Sequence, residues 1–387
     1  MRTTSDEVRR ILMGPGPSNC HRRVLDAMSQ PLLGHLDPEF LQIMDETQGM
    51  LRRVMRTENE LTLPISGTGS AGMETCLCNL IEEGDPVLIC VNGVFGERMT
   101  DIAERQGAEV HRVEAEWGRI IEPDQVVEAV KRFNPKLLCI VHAETSTGVL
   151  QPIEEISKIA HESDALLLVD AVTSLGGCPV ETDGWGIDAI YSGTQKCLSC
   201  PPGLAPVSFS SNAVRKIQSR RDKVKSWYLD MNMIRKYWGR ERFYHHTAPI
   251  SMIYALNEAL RLILEEGMEE RFKRHRLNHM ALVAGVEAMG LEMFVQPEYR
   301  SPMLNSVKIP EGVEDRVVRG ELLNRYKIEI GGGLGPLTGK IWRIGLMGHS
   351  CRRENVLLLL EAFGDILGRS SSEAIEAALK VYEQGLE

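Results

Sequence analysis

The sequence lacks any apolar run long enough to cross a membrane. Its longest apolar stretches, such as residues 166–169, have only the length of a buried strand. Residues 1–10 are polar and charged, so no secretory signal is visible, and the last residues match no peroxisomal ending. We therefore expect a cytoplasmic protein without a membrane segment.

An excess of positive charge and a disulfide framework are also absent. The chain has 44 Lys and Arg against 54 Asp and Glu, and its formal net charge of −10 argues against a nucleic-acid partner. Nine cysteines in 387 residues do not form a disulfide scaffold, and most adjoin apolar residues, as reduced buried thiols do. Cys197 and Cys200 form a C-x-x-C pair without a second pair or paired histidines, so we expect no metal site.

Strand-like and helical segments alternate in the first part of the chain. The predicted strands are 61–65, 87–91, 137–142, 165–170, 187–191 and 205–209. The predicted helices are 71–81, 96–106, 123–133 and 153–161. This alternation predicts an α/β fold with a mostly parallel sheet covered by helices. Ligands of such sheets bind beyond the carboxyl ends of the strands.

The pattern changes from about residue 250. Helical periodicity over 250–287 is followed by a predicted strand (306–309), a helix and a Gly-rich turn (331–333). A short apolar run (341–345) and two final helices (353–367 and 371–383) come next. Because 387 residues are too many for one compact core, we predict a large domain and a smaller α+β domain. The predicted divisions are an amino-terminal arm (1–20), a large domain (21–255) and a small carboxyl-terminal domain (256–387).

Lys196 ends a polar loop that follows the predicted strand 187–191. A lone lysine is more commonly solvated than buried. Here Gln195 and neighbouring hydroxyls precede it, and a Pro-Pro-Gly turn at 201–203 follows. An amine forms a Schiff base only when it is deprotonated, so a sheltered lysine at this position suits nucleophilic chemistry.

Asp170 ends an apolar strand. A buried carboxylate needs a partner, and a protonated pyridine nitrogen is one candidate. A cap on the following helix or turn is an equally good interpretation of Asp170 alone.

A Gly/Ser/Thr loop at 66–70 lies between a predicted strand and a helix, and backbone N–H groups there suit a phosphate. Gly67, Gly69 and Gly72 also match G-x-G-x-x-G, which raises a nicotinamide-binding oxidoreductase as an alternative. The next strand, 87–91, ends without the acid that would hold a ribose, so we favour a phosphate site without a nicotinamide.

Together these features resemble the class V aminotransferases of pyridoxal 5′-phosphate (PLP) fold type I, and especially the alanine–glyoxylate (serine–pyruvate) aminotransferases. The resemblance runs in family order from residue 14 to about residue 350. Its motifs are 14–19, 66–70, 92–96, 144–148, 169–170, 191–196, 201–203, 244–247 and 332–345. It implies a large domain with a mostly parallel seven-stranded sheet.

The resemblance also implies roles for individual residues in holding PLP. Lys196 would hold the cofactor as a Schiff base and Asp170 would pair with its pyridine nitrogen. Phe95, where many relatives have Trp, would stack on the ring, and Thr145 would lie near O3′. The implied phosphate ligands are Thr68, Gly69, Ser70 and Gln195.

Two further implications concern the substrate and the partner subunit. Arg343, with Gly16, would bind the substrate, its guanidinium taking the carboxylate by two parallel hydrogen bonds. A surface ion pair is the alternative for Arg343, but its apolar neighbours favour burial. Tyr244 and Thr247 would reach the phosphate from the other chain, so the active sites would be shared within a homodimer.

The implied reaction moves an amino group from alanine, serine or aspartate to a 2-oxo acid such as glyoxylate or pyruvate. Alternatives on the same fold are a lyase or desulfurase, or a transaminase for 3-hydroxykynurenine, aminoethylphosphonate or pyridoxamine. Desulfurases use a loop cysteine, and Cys351 lies on the wrong side of Arg343 for that role.

Overall fold

A computed structural model describes residues 10–386. Within this range the strands are β1 (Ile11–Leu12), β2 (Leu61–Ser66), β3 (Pro86–Val91), β4 (Glu109–Glu114), β5 (Leu137–Val141), β6 (Ala143–Glu144), β7 (Val149–Leu150), β8 (Leu166–Asp170), β9 (Ala189–Tyr191), β10 (Leu204–Phe209), β11 (Leu304–Lys308), β12 (Ile328–Glu329), β13 (Gly331–Gly332) and β14 (Ile341–Gly345). The helices are α1 (Arg22–Met28), α2 (Pro38–Met55), α3 (Gly69–Leu80), α4 (Val94–Gln106), α5 (Pro123–Phe133), α6 (Glu154–Glu162), α7 (Ser211–Gln218), α8 (Met231–Trp238), α9 (Ile250–Glu266), α10 (Met268–Ala288), α11 (Asp315–Glu321), α12 (Arg353–Leu367) and α13 (Ser371–Gln384).

The large sheet has seven strands in the order β2-β10-β9-β8-β5-β3-β4. The neighbours from β9 to β4 pair in parallel, whereas β10 runs antiparallel to β9 and β2. The predicted mostly parallel seven-stranded sheet is therefore confirmed. Since β5, β8 and β9 are parallel neighbours, their carboxyl ends lie side by side.

The structure contains elements that the sequence analysis did not predict, among them the helices α1, α2, α7 and α8. The edge strand β4 was not predicted, because Glu109, His111 and Arg112 interrupt its apolar pattern. The helical periodicity over 250–287 belongs to two helices, α9 and α10, separated by Gly267. Gly267 has φ +86°, a conformation that glycine adopts without steric cost and that ends α9.

Most buried apolar residues belong to two large hydrophobic cores, and two smaller clusters accompany them. The first surrounds the large sheet and includes the buried residues of α9 as far as Met268. The second gathers residues of α10, α12, α13 and the small sheet β11-β14-β13, together with Met13 from the amino-terminal segment. The predicted division at residue 255 thus lies inside α9, and the change of core comes close to Gly267.

The amino-terminal segment joins the second core through a strand pair. β1 pairs in parallel with β12, and Met13 is completely buried. All nine cysteines are free, and all except Cys20 are buried, which confirms the expectation of reduced, buried thiols. Over residues 10–386, no helix combines the length and apolarity needed to span a membrane.

Two helical glycines provide a matched test of the packing. A Cβ at Gly364 in α12 would lie 2.9 Å from the Ser371 backbone nitrogen, whereas a Cβ at Gly49 in α2 would meet nothing within 4 Å. We expect Gly364→Ala to destabilise the protein by about 1–3 kcal/mol, because the backbone it meets must shift. Gly49→Ala should stabilise it by about 0.5–1 kcal/mol through helix propensity. Thermal unfolding of both variants measures this, and equal shifts would contradict the tight α12–α13 contact.

Candidate active site

Asp170 is the last residue of β8, in the middle of the large sheet, opposite Tyr191 at the end of β9. Its carboxylate accepts the Tyr191 hydroxyl at 2.6 Å and the Val172 amide at 2.8 Å. Burial raises the pKa of Asp170 to about 6, although both hydrogen bonds favour its charged form. The bond to Val172 shows that Asp170 also caps the local turn. The two sequence-based interpretations are therefore compatible.

Lys196 is buried, with 8% of its surface exposed. Its Nζ donates a hydrogen bond to the carbonyl oxygen of Pro15, in the amino-terminal segment. Burial lowers the pKa of Lys196 to about 8; the charge of Arg343 lowers it further, whereas that of Asp170 raises it. The amine is thus far easier to deprotonate near neutral pH than a solvated lysine.

Gly16 lies directly over the lysine side chain. It has φ +103°, and a Cβ at this position would lie 2.8 Å from Lys196 Nζ. Only glycine leaves this approach to the amine open. The structure therefore brings Gly16 and Lys196 together, although 180 positions separate them in the sequence.

The loop before α3 forms an anion cradle. Thr68 precedes the helix without making a side-chain capping bond, and both Thr68 and Ser70 are exposed, so hydroxyls and helix amides are open to a ligand. Gln195 adds a buried Oε1 that has no hydrogen-bond partner within residues 10–386. A buried amide oxygen left unpaired costs free energy, which a bound hydrogen-bond donor would recover.

Glu144 is a buried carboxylate to which sequence reasoning assigned no role. It accepts hydrogen bonds from the Ser146 hydroxyl at 2.5 Å and from the Phe95 backbone N–H at 3.1 Å. Burial raises its pKa. Ser146 in turn accepts the Val94 amide at 3.0 Å, so this pair of residues fixes the start of α4 and with it Phe95. The available signal was an acid three residues after the end of the buried strand β5.

Arg343 reaches the same edge of the sheet from β14 of the small domain. It donates from Nε to the Gly332 carbonyl at 2.7 Å and from Nη1 to the Thr145 carbonyl at 3.1 Å. Neighbouring Arg319 pairs with Asp315, but Arg343 forms no ion pair with any residue in 10–386. The alternative of a surface ion pair is therefore wrong.

The guanidinium of Arg343 is strongly desolvated. Only 6% of the residue is exposed, and burial lowers its pKa to about 10, with the charge of Arg319 acting in the same direction and that of Glu144 opposing it. A buried cation without a counterion favours an incoming carboxylate. Thr145, whose carbonyl holds this arginine, shares a hydrogen bond of 2.9 Å between its hydroxyl and that of Thr173.

Tyr244 and Thr247 are not brought to Lys196 within one chain. Their hydroxyls lie 3.3 Å apart on an exposed segment between α8 and α9. The same segment approaches the anion cradle only through His246, whose Nε2 lies 2.7 Å from the Ser66 hydroxyl. These two residues therefore face solvent beside the cradle rather than into it.

Gly72 and the cysteines that the sequence singled out all lie in packed surroundings. A Cβ at Gly72 would lie 3.0 Å from Ala205 Cβ, so this glycine serves the packing of α3 on the sheet. Cys351 is completely buried, and burial raises its pKa to about 12, which leaves it unreactive as a nucleophile. Cys197 and Cys200 are likewise buried free thiols.

The chain is similar to known proteins over nearly its whole length. The family described as aminotransferase class V matches residues 11–353. (S)-Ureidoglycine–glyoxylate transaminase of Bacillus subtilis (strain 168) is 43% identical, over 97% of this chain and 95% of that protein. Alanine–glyoxylate aminotransferase of Drosophila melanogaster is 43% identical over 93% of each chain. The crystal structure of alanine–glyoxylate aminotransferase from Nostoc sp. is 50% identical, with a TM-score of 0.93 over 95% of this chain and 98% of that one.

Because Lys196 is buried, we expect that replacing it with an uncharged residue increases the free energy of unfolding, by an amount that depends on pH. The pKa falls from 10.5 to about 8 on folding, so the unfolded chain binds the proton more tightly. The cost of burying the charge is therefore full below pH 8 and disappears as the pH rises towards 10.5. Lys196→Met should stabilise protein freed of small molecules by about 2 kcal/mol at pH 7 and by less at pH 9.5.

Urea unfolding at both pH values measures this difference. Lys223→Met, which removes an exposed lysine, is the matched control and should change stability little at either pH. A Lys196→Met variant that is less stable than the wild type at pH 7 would contradict the prediction that burying this lysine costs free energy of folding.

Proposed function

Because the chain belongs to the class V aminotransferase family and has PLP fold type I, we propose that it transfers an amino group from a small amino acid to glyoxylate or pyruvate. The Bacillus subtilis and Drosophila melanogaster relatives are both named as glyoxylate aminotransferases, while the amino donors in their names differ. Alanine, serine and aspartate are the donors we propose. The observation that carries this proposal is a desolvated lysine held between a buried carboxylate and an arginine without a counterion.

PLP is the cofactor we propose. Lys196 would hold it covalently, Asp170 would face its pyridine nitrogen, and Phe95 and Thr145 would flank the ring. The open N-terminus of α3 fits a phosphate, whereas Gln195 would have to donate to it from its Nε2, because its unpaired Oε1 only accepts. Within that cradle the proposed phosphate ligands are Thr68, Gly69, Ser70 and Gln195. When bound, PLP supplies an electron-accepting ring conjugated to the substrate amine.

Lys196 is the proposed acid and base. With a pKa of about 8, a substantial fraction of the amine is neutral near pH 8 and able to accept a proton from the substrate Cα. The Pro15 carbonyl orients Nζ from one side. Asp170 stays charged most easily beside a cationic nitrogen, and the Tyr191 hydroxyl fixes its orientation.

Arg343 is the proposed binding group for the substrate carboxylate. Two backbone carbonyls, those of Gly332 and Thr145, hold the guanidinium in place and leave further N–H groups for a ligand. The amino donor and the 2-oxo acid both carry a carboxylate next to the reacting carbon. One arginine therefore serves both half-reactions, and the open face at Gly16 gives each substrate access to Lys196.

We also propose a homodimer with shared active sites. The surface beside the cradle carries large side chains with considerable exposure, namely Trp227, Tyr228, Phe243 and Tyr244. Exposed aromatic clusters of this kind commonly mark protein interfaces. Tyr244 and Thr247 in this surface would reach the phosphate of the partner's cofactor. A cytoplasmic location remains a prediction from the sequence.

A half-reaction panel tests the proposed activity. Protein loaded with PLP should show a visible absorbance band that alanine, serine or aspartate bleaches and that glyoxylate or pyruvate restores. Lys196→Ala should lose both the covalent band and turnover, because no other buried amine lies in the described site. The same panel includes 3-hydroxykynurenine, aminoethylphosphonate and pyridoxamine, and bleaching by one of these alone would contradict the proposed donors.

Mixed dimers test whether the active sites are shared. A Lys196→Ala chain combined with a Tyr244→Ala/Thr247→Ala chain should recover activity, because one site of the heterodimer then has both an intact lysine and intact partner hydroxyls. As the matched control, Lys196→Ala combined with Asp170→Ala should recover none, since those residues act in one chain. Activity measured after refolding the mixtures decides the matter. If the activity of the first mixture does not exceed that of either variant alone, the proposal of shared active sites is wrong.

A further inference from the structure

We propose that Arg98 is a positioning residue for the cofactor phosphate, acting through Ser70 and supplying the positive charge that the cradle otherwise lacks. This inference rests on the proposed function, since it requires a phosphorylated cofactor at the start of α3. Arg98 lies in the first turns of α4, three residues after Phe95. Nothing in the motif comparison singled it out.

The first observation is a direct contact with the cradle. Arg98 Nη1 donates a hydrogen bond to the Ser70 hydroxyl oxygen at 3.2 Å. A serine hydroxyl has one hydrogen, and an arginine can only donate to it. The Ser70 hydrogen is thereby left for an acceptor, and a phosphate oxygen above the N-terminus of α3 is such an acceptor.

The second observation is that the arginine is held by the same helix turn that presents Phe95. The guanidinium carbon lies 5.0 Å from the centroid of the Phe95 ring, at cation–π distance. Residues at i and i+3 share one face of a helix, so this stacking limits the side chain to the side of α4 that faces Ser70. Glu144 and Ser146 fix the start of that helix.

The third observation concerns charge. The proposed phosphate ligands are all uncharged, namely Thr68, Gly69, Ser70, Gln195, Tyr244 and Thr247. The other arginine of α4 is already paired, since Arg105 binds Asp101, and Glu97 binds Arg112. Arg98 forms no ion pair with any residue the structure describes. A phosphate carrying nearly two negative charges favours such an unpaired guanidinium.

The charge of Arg98 also reaches the rest of the site. It favours the ionised form of Asp170, opposing the rise in pKa that burial causes there. The same cation therefore acts on both ends of the proposed cofactor, the phosphate and the group facing the ring nitrogen. Its effect on the phosphate should dominate, because the hydrogen bond to Ser70 places it at the cradle.

The experiment compares PLP with pyridoxal, which lacks the phosphate. Apoprotein is titrated with each compound, and dissociation constants are read from the absorbance. Arg98→Gln should weaken PLP binding about tenfold. Pyridoxal binding should stay within about twofold of the wild-type value, since no phosphate is present to sense the charge. Arg98→Lys should restore part of the PLP affinity, and added NaCl should weaken PLP binding less in Arg98→Gln than in the wild type.

Arg105→Gln is the matched control, because Arg105 lies on the same helix but pairs with Asp101. It should leave both dissociation constants unchanged. Equal loss of PLP and pyridoxal binding in Arg98→Gln would overturn the inference, since the arginine would then act on the ring through Phe95 or on the fold. An unchanged PLP affinity would overturn it as well. A wild-type protein that binds neither compound would defeat the proposed function itself.

Discussion

The site depends on removing one amine from water. Lys196 lies on a loop at the carboxyl edge of the large sheet, covered by Pro15 and Gly16 of the amino-terminal segment, and the charges of Asp170 and Arg343 act on it. Burial without a strong ion pair disfavours its charged form, which turns a common surface cation into a group able to exchange protons near neutral pH. The charge of Asp170 raises the pKa of Lys196, whereas the charge of Arg343 lowers it.

Maintaining that desolvation requires both cores. The large sheet provides Asp170 and the loop of Lys196, while the small domain provides Arg343. The amino-terminal segment covers the lysine side chain. Arg343 is anchored by a carbonyl 198 positions away in the chain, and Pro15 contacts a lysine 181 positions away. The small domain therefore does more than enlarge the core, because it fixes the position of the Arg343 guanidinium.

Glu144 is a buried polar group outside the Lys196, Asp170 and Arg343 set, and it supports the site by fixing the start of α4. Its carboxylate accepts backbone and hydroxyl donors at the start of α4, so Phe95 and Arg98 extend from a helix end with a defined position. A flexible start to α4 would leave both side chains free to rotate away from the cradle. A buried carboxylate that accepts several hydrogen bonds is one means by which a protein fixes the position of such a helix end.

Much of this arrangement follows from local sequence. The apolar runs of β5, β8 and β9 and the helical spacing between them predict a parallel sheet, and the polar residues after those strands predict where a ligand binds. Asp170 and Lys196 are recognisable because each ends a buried strand or its loop. β4 escaped detection because edge strands are half solvated and tolerate the charges that hide their pattern. The break between α9 and α10 was missed because Gly267 alone marks it.

Local sequence determined the sheet, the loop that carries Lys196 and the strand–loop–helix turn at 66–70, since each depends on residues close together in the chain. Only the tertiary structure decided that Gly16 lies over Lys196, that Arg343 has no counterion, that Glu144 fixes α4 and that Arg98 reaches Ser70. The physical reason is that burial and pairing are properties of a whole neighbourhood. A sequence shows which side chains carry charge, but the fold determines how much water and which partners each charge retains.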